Sequence, residues 1–146
     1  MAVATRVLQR EGLISRAAIV DCDVHQSNGT ASTFEHDSAV FTFSLHQDHN
    51  YPTVKPPSSL DVGLPDGADD HEYLLALDAA IPHVMASRPD LIVYVAGADP
   101  CVGDKLGGLN LTFEGLRGRD FLVLSAARAA RAPVAIVPGG RVRATA

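Results

Sequence analysis

The sequence predicts an α/β fold, in which a parallel β-sheet carries helices on both faces. Short runs of β-branched and apolar residues alternate along the chain with longer segments of helical period, an order typical of parallel sheets. The clearest runs, residues 17–22 and 91–96, are apolar at nearly every position, as strands covered on both faces are. A chain of 146 residues is long enough for one such domain.

The first part of the chain is expected to fold as helix, strand, helix, strand. Apolar side chains recur at helical spacing over residues 2–11, and Gly12 follows at a position that favours a helix end. Strands are expected at 17–22 and at 39–45, because the second segment is rich in β-branched and aromatic residues. Residues 30–34 between them are expected to form a short helix.

A long loop is expected next. Residues 47–67 contain four prolines, which exclude a helix, and loops of this length in compact domains are usually functional. Asp69 and Asp70 offer N-cap oxygens for a helix over 71–86, in which Pro82 is expected to cause a kink.

The last elements are a strand at 91–96, a helix at 113–130 with Thr112 as its N-cap, and a strand at 133–137. Four arginines in or after this helix are expected to be solvated. They are Arg117, Arg119, Arg128 and Arg131.

Composition narrows the class of protein. The chain is 47% hydrophobic and 20% charged, with a formal net charge of -5, which is typical of a globular protein and argues against non-specific nucleic-acid or membrane-surface binding. No apolar run approaches the roughly 18 residues of a membrane span, and no signal peptide is recognised, so a cytoplasmic location is expected. Cys22 and Cys101 lie far apart and are expected to be buried thiols.

Polar residues follow the predicted strands at the edge where parallel sheets bind ligands. Asp21, Asp23 and His25 alternate after the first strand, so an extended backbone would place all three on one side. Asp99 follows the strand at 91–96. Carboxylate oxygen and imidazole nitrogen suit a divalent ion such as Zn²⁺. The alternative is that the aspartates are ordinary turn residues.

The motifs around these residues resemble the zinc-dependent histone deacetylase family, which includes bacterial acetoin-utilisation and acetylpolyamine deacetylase-like members. The similarity runs in order to about Gly140. The segments that carry it are 21–30 (Asp-Cys-Asp-Val-His-Gln-Ser-Asn-Gly-Thr), 43–46, 50–52, 96–100 and 103–107. The pair His25-Gln26 is similar to the branch nearest the class IV deacetylases. The resemblance implies an arginase/deacetylase-like sheet.

By position in these motifs, Asp23, His25 and Asp99 correspond to the zinc ligands of the family, with Fe²⁺ as an alternative metal. Two carboxylates and one imidazole leave a position open, as in catalytic zinc sites.

The resemblance also implies a structural potassium ion and a substrate channel. Asp21 and the Ser44 hydroxyl would bind the potassium ion through oxygen, and Asp21 and Asn28 would orient the catalytic histidines. The main-chain oxygens implied to join the potassium site are those of Asp23, His25 and Leu45. The residues implied for the channel are Tyr51, Gly97 and Leu106. For Tyr51 and Leu106, core packing is an open alternative.

The chain also departs from the family pattern. The family's adjacent histidine pair has no counterpart, since no histidine precedes His25, and the family's Gly-Gly-Gly-Tyr is replaced by Gly139-Gly140-Arg141 with no later tyrosine. Residues 1–140 are therefore expected to form a partial deacetylase-like domain, followed by a divergent tail at 141–146. The other histidines are expected on the surface or in loops. They are His36, His46, His49, His71 and His83.

Three functions remain open at this point. The first is a zinc hydrolase that removes acetyl groups from acetyl-lysine or from small acetylated amines. The second is a catalytically inactive metal-binding fragment, because the family's histidine pair and tyrosine are missing. The third is an interaction or assembly module, which metal binding would exclude. Self-association is expected if the sheet lacks neighbouring strands, since unpaired strand edges favour association.

Overall fold

The computed structural model describes residues 1–139. Within this range there are five strands and four helices, which alternate except that β3 follows β2 directly. In chain order they are α1 (Ala2–Arg10), β1 (Ala17–Asp21), α2 (Asn28–Phe34), β2 (Val40–Gln47), β3 (Leu60–Leu64), α3 (Asp70–Ala86), β4 (Leu91–Gly97), α4 (Phe113–Ala130) and β5 (Val134–Gly139). Residues 140–146, which include Gly140, Arg141 and the predicted divergent tail, lie outside the described range.

The strands form one parallel sheet in the order β3-β2-β1-β4-β5. The central strand β1 is buried at all five positions, and its last residue, Asp21, lies opposite Ser44 of β2 and Val95 of β4. Burial on both sides explains why this strand is apolar without alternation.

Helices cover both faces of the sheet. On one face, α3 and α4 pack against the sheet through buried side chains such as Tyr73, Leu77 and Val123. On the other face, Phe34 of α2 packs with Ile19 of β1, and α1 lies beside this smaller cluster. The predicted α/β fold with a parallel sheet and helices on both faces is confirmed.

The two long helices begin where their side-chain caps predict. Asp69 accepts a hydrogen bond from the backbone N–H of Glu72, and the Glu72 carboxylate accepts one from the N–H of Asp69, which completes a capping box. Thr112 accepts from the N–H of Gly115 at 3.1 Å. Each cap satisfies backbone donors that a helix leaves without partners, so the predicted starts of α3 and α4 hold within one residue.

The prediction of an uninterrupted loop over 47–67 was wrong, because Leu60–Leu64 forms the edge strand β3 and pairs with β2. In this segment, half-buried Leu60 and Val62 alternate with exposed Asp61 and Gly63. Such alternation is typical of an edge strand, but the prolines on either side hid it in the sequence.

Two side chains predicted to be solvated are buried. Arg119 lies on the inner side of α4 and is 2% exposed, and His46 lies within β2, also at 2%. The Ser44 hydroxyl and the His46 Nδ1 atom are 3.0 Å apart, and burial lowers the pKa of His46. The other arginines and histidines of these two predictions are exposed. They are Arg117, Arg128, Arg131, His36, His49, His71 and His83.

Among residues 1–139, no helix has the length and apolar character that a membrane span requires.

Candidate metal centre

The candidate site lies beyond the carboxyl ends of β1 and β4, which are neighbours in the middle of the sheet. From β1 the chain builds the sheet in one direction through β2 and β3, and it then returns to add β4 and β5 on the other side. This reversal of strand order leaves a crevice in which open parallel sheets bind ligands. The segment after β1 carries Asp23 and His25, and the segment after β4 carries Asp99.

These three side chains converge. One ligand atom from each of Asp23, His25 and Asp99 lies within 4.8 Å of the other two. The His25 Nδ1 atom is 3.0 Å from Asp23 Oδ1 and 3.5 Å from Asp99 Oδ2. The Asp23 and His25 side chains are about one quarter exposed or less, and Asp99 is almost fully buried. Solvent therefore reaches the cluster at Asp23 and His25 more than at Asp99.

The backbone reaches this arrangement by turning, and not by the extended course that the alternating pattern suggested. Strand β1 ends at Asp21, whose Oδ1 atom accepts the N–H of Asp23 at 2.9 Å. Asp23 Oδ1 in turn accepts the N–H of His25 at 3.0 Å. Aspartate side chains form such turns readily, so the same residues act as turn formers and as members of the cluster.

Asp99 joins the loop that follows β4, on which it lies, to the loop that follows β1. Its Oδ1 atom accepts the backbone N–H of Val24 at 3.0 Å, while its Oδ2 atom faces His25. Val24 is fully buried. The hydrogen bond therefore fixes the Asp99 carboxylate against the loop that carries Asp23 and His25.

Two of the carboxylates at the site, those of Asp21 and Asp99, are buried away from water. Burial, followed by the Asp23 charge, raises the pKa of Asp99 to about 6. Burial also raises the pKa of Asp21 to about 6, although hydrogen bonds from Ser27 and Asp23 oppose this effect. Carboxylates that resist ionisation because they lack water and face other carboxylates favour a bound cation.

Gly97 allows the close approach of the two loops. A Cβ atom at this position would lie 2.6 Å from Asp23 Cα and 2.9 Å from Asp99 Oδ1. The close contact with the Asp23 backbone cannot be relieved by rotating a side chain, so any larger residue must displace the loop. Gly97, which the family resemblance implies for the substrate channel, thus lies directly against two members of the cluster.

Gly97→Ala is expected to destabilise the fold and to displace Asp23. Overpacking of this kind costs about 1–3 kcal/mol, which lowers the melting temperature of a chain of this size by roughly 3–10 °C. Thermal unfolding followed by circular dichroism measures the change. Gly29→Ala in α2 is the matched control, since a Cβ there meets nothing within 4 Å. Equal melting temperatures for Gly97→Ala and the unsubstituted chain would contradict the close approach.

The end of β5 also reaches the cluster. A Cβ atom on Gly139 would lie 3.3 Å from Asp23 Oδ2, and the Gly139 carbonyl accepts the N–H of Ala98 at 2.9 Å. Residues that follow Gly139 lie outside the described range.

The residues implied for a potassium site lie on neighbouring strands. Asp21 and Ser44 are paired across β1 and β2, and Leu45 is fully buried beside them. The contact between Ser44 and His46 was missed from sequence, because His46 was expected outside the core. Asn28 is half-buried at the start of α2.

A hollow opens over the cluster and is lined in part by Asp21, Asn28 and Tyr51. Tyr51 is 68% exposed, and so is Leu106 on the loop that follows β4. The loop that carries Tyr51 is joined to the loop that carries Leu106, because Asn50 Nδ2 donates to the Leu106 carbonyl at 2.8 Å. Both side chains are thus free of the core, which removes core packing as their role.

The loop before β3 is held by a lysine. The ammonium group of Lys55 donates to the carbonyls of Asp48, Asn50 and Pro52 at 2.8 to 2.9 Å. These contacts fix the segment that presents Tyr51 to the hollow.

Arg119 was missed as a residue of the site. It lies behind the cluster and donates to the main-chain carbonyls of Cys22 and Gly97. The sequence carries a signal for it, because the buried positions of α4 recur every fourth residue. They are Gly115, Arg119, Val123 and Ala127, and an arginine within such a stripe points toward the core.

Comparison with known proteins shows which proteins the chain resembles in sequence. The family model described as the histone deacetylase domain matches residues 1–141. The chain is 50% identical over 141 residues to an uncharacterized protein of Picosynechococcus sp., which covers 96% of this chain and 47% of that protein. It is 33% identical over 132 residues to histone deacetylase 8 of Arabidopsis thaliana, which covers 80% of this chain and 35% of that protein.

Solved structures show the same fold. The HD domain of HDA15 superposes with a TM-score of 0.79 at 28% identity, over 96% of this chain and 44% of that one. An acetylpolyamine aminohydrolase from Burkholderia pseudomallei has a TM-score of 0.80 at 24% identity, over 96% and 43% of the two chains. The chain thus spans less than half the length of these curated relatives and structures. Because the family model matches nearly the whole chain, the chain belongs to the histone deacetylase family.

Proposed function

We propose that Asp23, His25 and Asp99 bind one zinc ion, and that the chain contributes the zinc-binding part of a deacetylase site. The observation that supports this most is the convergence of three ligand atoms within 4.8 Å beyond the central strands of a deacetylase-family sheet. The substrate would be acetyl-lysine or a small acetylated amine. One structural neighbour is an acetylpolyamine aminohydrolase, and for this reason we retain small acetylated amines as a proposed substrate class.

The residues fit a zinc ion. Two carboxylate oxygens and one imidazole nitrogen leave a coordination position open, as catalytic zinc sites do, and the same donors accommodate Fe²⁺. Cys22 is unsuited to join them, because it is fully buried and burial raises the pKa of its thiol to about 12. A thiol must lose its proton to bind zinc.

Zinc held at such a site polarises an amide carbonyl and lowers the pKa of water to about 7. The residues of the chain supply binding and orientation. The Val24 N–H holds Asp99 in place, the turn hydrogen bonds orient Asp23 and His25, and Tyr51 forms part of the wall of the hollow. The Asp21 carboxylate accepts the hydrogen bond of the first of these turns.

Among the described residues that line the hollow, the titratable side chains besides Asp23 and His25 are Asp21 and Tyr51. Asp21 is buried, and its Oδ1 atom is engaged by the N–H of Asp23. General base catalysis needs an acceptor within reach of the reacting water, and neither side chain meets this need well. This observation favours a second candidate function, a metal-binding chain with little hydrolytic activity of its own.

We also propose a structural potassium ion beside Asp21, Ser44 and Leu45. Asp21 and Ser44 are side by side on paired strands, and oxygen donors suit a hard cation. Self-association is a further proposal. It rests on exposed apolar side chains along α3 and α4, namely Leu75 at 63%, Phe113 at 74% and Phe121 at 70%.

Zinc is expected to raise the melting temperature of the chain. A ligand present at 100 times its dissociation constant stabilises the folded state by about 2.7 kcal/mol, which corresponds to roughly 5–10 °C here. Differential scanning calorimetry with Zn²⁺, and with a chelator as reference, measures the shift. His25→Ala should abolish it, whereas His49→Ala, at an exposed position, should leave it intact. An unchanged melting temperature in zinc, or equal shifts for both variants, would refute the proposed ligands.

A further inference from the structure

Arg119 on α4 is almost completely buried, which is unusual for an arginine. It lies in the first half of α4 and is 2% exposed, and it is the one arginine or lysine that is buried among residues 1–139. Burying a charge is unfavourable unless it is paired and hydrogen-bonded. The side chain must therefore make contacts that compensate for the loss of water.

Its contacts lead to both loops of the site. One guanidinium nitrogen, Nη1, donates to the Gly97 carbonyl at 2.5 Å and to the Cys22 carbonyl at 3.3 Å. Cys22 immediately precedes Asp23, and Gly97 lies two residues before Asp99. A single nitrogen thus joins the ends of β1 and β4 at the points where the ligand-bearing turns begin.

The other side of the guanidinium is fixed by Asp120. Both Nε and Nη2 donate to Asp120 Oδ1, at 3.0 and 2.9 Å. The same oxygen accepts the hydroxyl of Tyr94 at 2.5 Å, and the guanidinium lies 5.9 Å from the centre of the Tyr94 ring. Because Asp120 and Tyr94 orient the guanidinium of Arg119, they keep Nη1 within hydrogen-bonding distance of the two carbonyls.

We propose that Arg119 is a positioning residue, which sets the separation of the Asp23 and Asp99 turns that metal binding requires. This inference rests on the proposed zinc site. Arg119 does not belong to the ligand set, and it acts through the main chain of Cys22 and Gly97. The hydrogen bond from Val24 to Asp99 also links the two loops, through residues other than those that Arg119 contacts.

The test is a titration of the whole chain with Co²⁺, whose visible absorption reports both affinity and ligand geometry. In Arg119→Met, the dissociation constant for Co²⁺ should rise by about 10- to 100-fold, as it does when residues that orient metal ligands are lost. The absorption band at saturating Co²⁺ should also change. Arg119→Lys should recover part of the affinity, since an ammonium group can reach one of the carbonyls.

The control is Arg117→Met, which removes an exposed arginine from the same helix and should leave affinity and band unchanged. Circular dichroism selects a temperature at which each variant is folded. Unchanged affinity and band in Arg119→Met would overturn the inference, and so would failure of both Arg119 variants to fold, because the role would then be structural. If the unsubstituted chain binds no Co²⁺, the proposed metal site itself is wrong.

Discussion

The 146-residue chain, loaded with zinc, is expected to release acetate from an acetyl-lysine peptide at least about 10⁴-fold more slowly than an active full-length family member. A general base contributes about 10²–10⁴-fold and an oxyanion donor about 10²–10³-fold to such reactions. No histidine precedes His25 in the sequence and no tyrosine follows Tyr94. In the described hollow, Asp21 is buried and its carboxylate already accepts the N–H of Asp23.

Acetate release from an acetyl-lysine peptide and from an acetylated polyamine measures this difference, with zinc content determined in parallel. The full-length enzyme assayed beside it is the reference. Turnover within tenfold of that enzyme, abolished by Asp99→Asn, would contradict the expectation. It would show that another group, such as His49 or Arg141, serves as acceptor or donor.

Asp99→Asn is expected to weaken zinc binding by at least about 100-fold. Residues that merely orient metal ligands contribute about 10- to 100-fold in affinity, and a lost ligand should cost more. Asparagine keeps an oxygen that can accept the N–H of Val24, the hydrogen bond that Asp99 makes in the structure. The loop should therefore remain in place while the charge of the ligand is lost.

Competition with a chromophoric chelator measures the zinc affinity of both proteins. Asp78→Asn is the matched control, because Asp78 is an exposed aspartate on α3 and its replacement should have no effect. Affinity for zinc within threefold of the unsubstituted chain in Asp99→Asn would remove Asp99 from the ligand set.

The start of each long helix could be predicted from sequence, because one side chain decides it. The Asp69 and Thr112 oxygens accept backbone N–H groups at the starts of α3 and α4, and this chemistry is local. The buried strands were equally predictable, since β1 and β4 are apolar on both faces. Local signals of this kind do not depend on which elements later pack together.

The edge strand β3 and the contacts of Arg119 could not be predicted in the same way. Strand β3 is stabilised by pairing with β2 alone, and prolines in the preceding loop dominate its local pattern. Arg119 is stabilised by carbonyls that lie 97 and 22 residues away in sequence. Contacts of that range depend on the completed fold.

The cluster of Asp23, His25 and Asp99 was predicted from sequence in its residues but not in its backbone conformation. The family motif identified Asp23, His25 and Asp99 as candidates from sequence, and the strand order places all three at one crevice. The turns that bring them together differ from the extended course expected, because Asp21 and Asp23 accept backbone N–H groups two residues further on. Residue type was thus predictable, whereas the local backbone path was not.

X-ray absorption at the zinc edge of the chain loaded with one equivalent of Zn²⁺ tests directly whether Asp23, His25 and Asp99 bind the ion. We expect a first shell of nitrogen and oxygen at about 2.0–2.2 Å, with the outer-shell scattering of one imidazole and without sulfur. A zinc–sulfur distance of about 2.3 Å would place the ion on cysteine. That result, or a spectrum with no imidazole scattering, would contradict a site built from Asp23, His25 and Asp99.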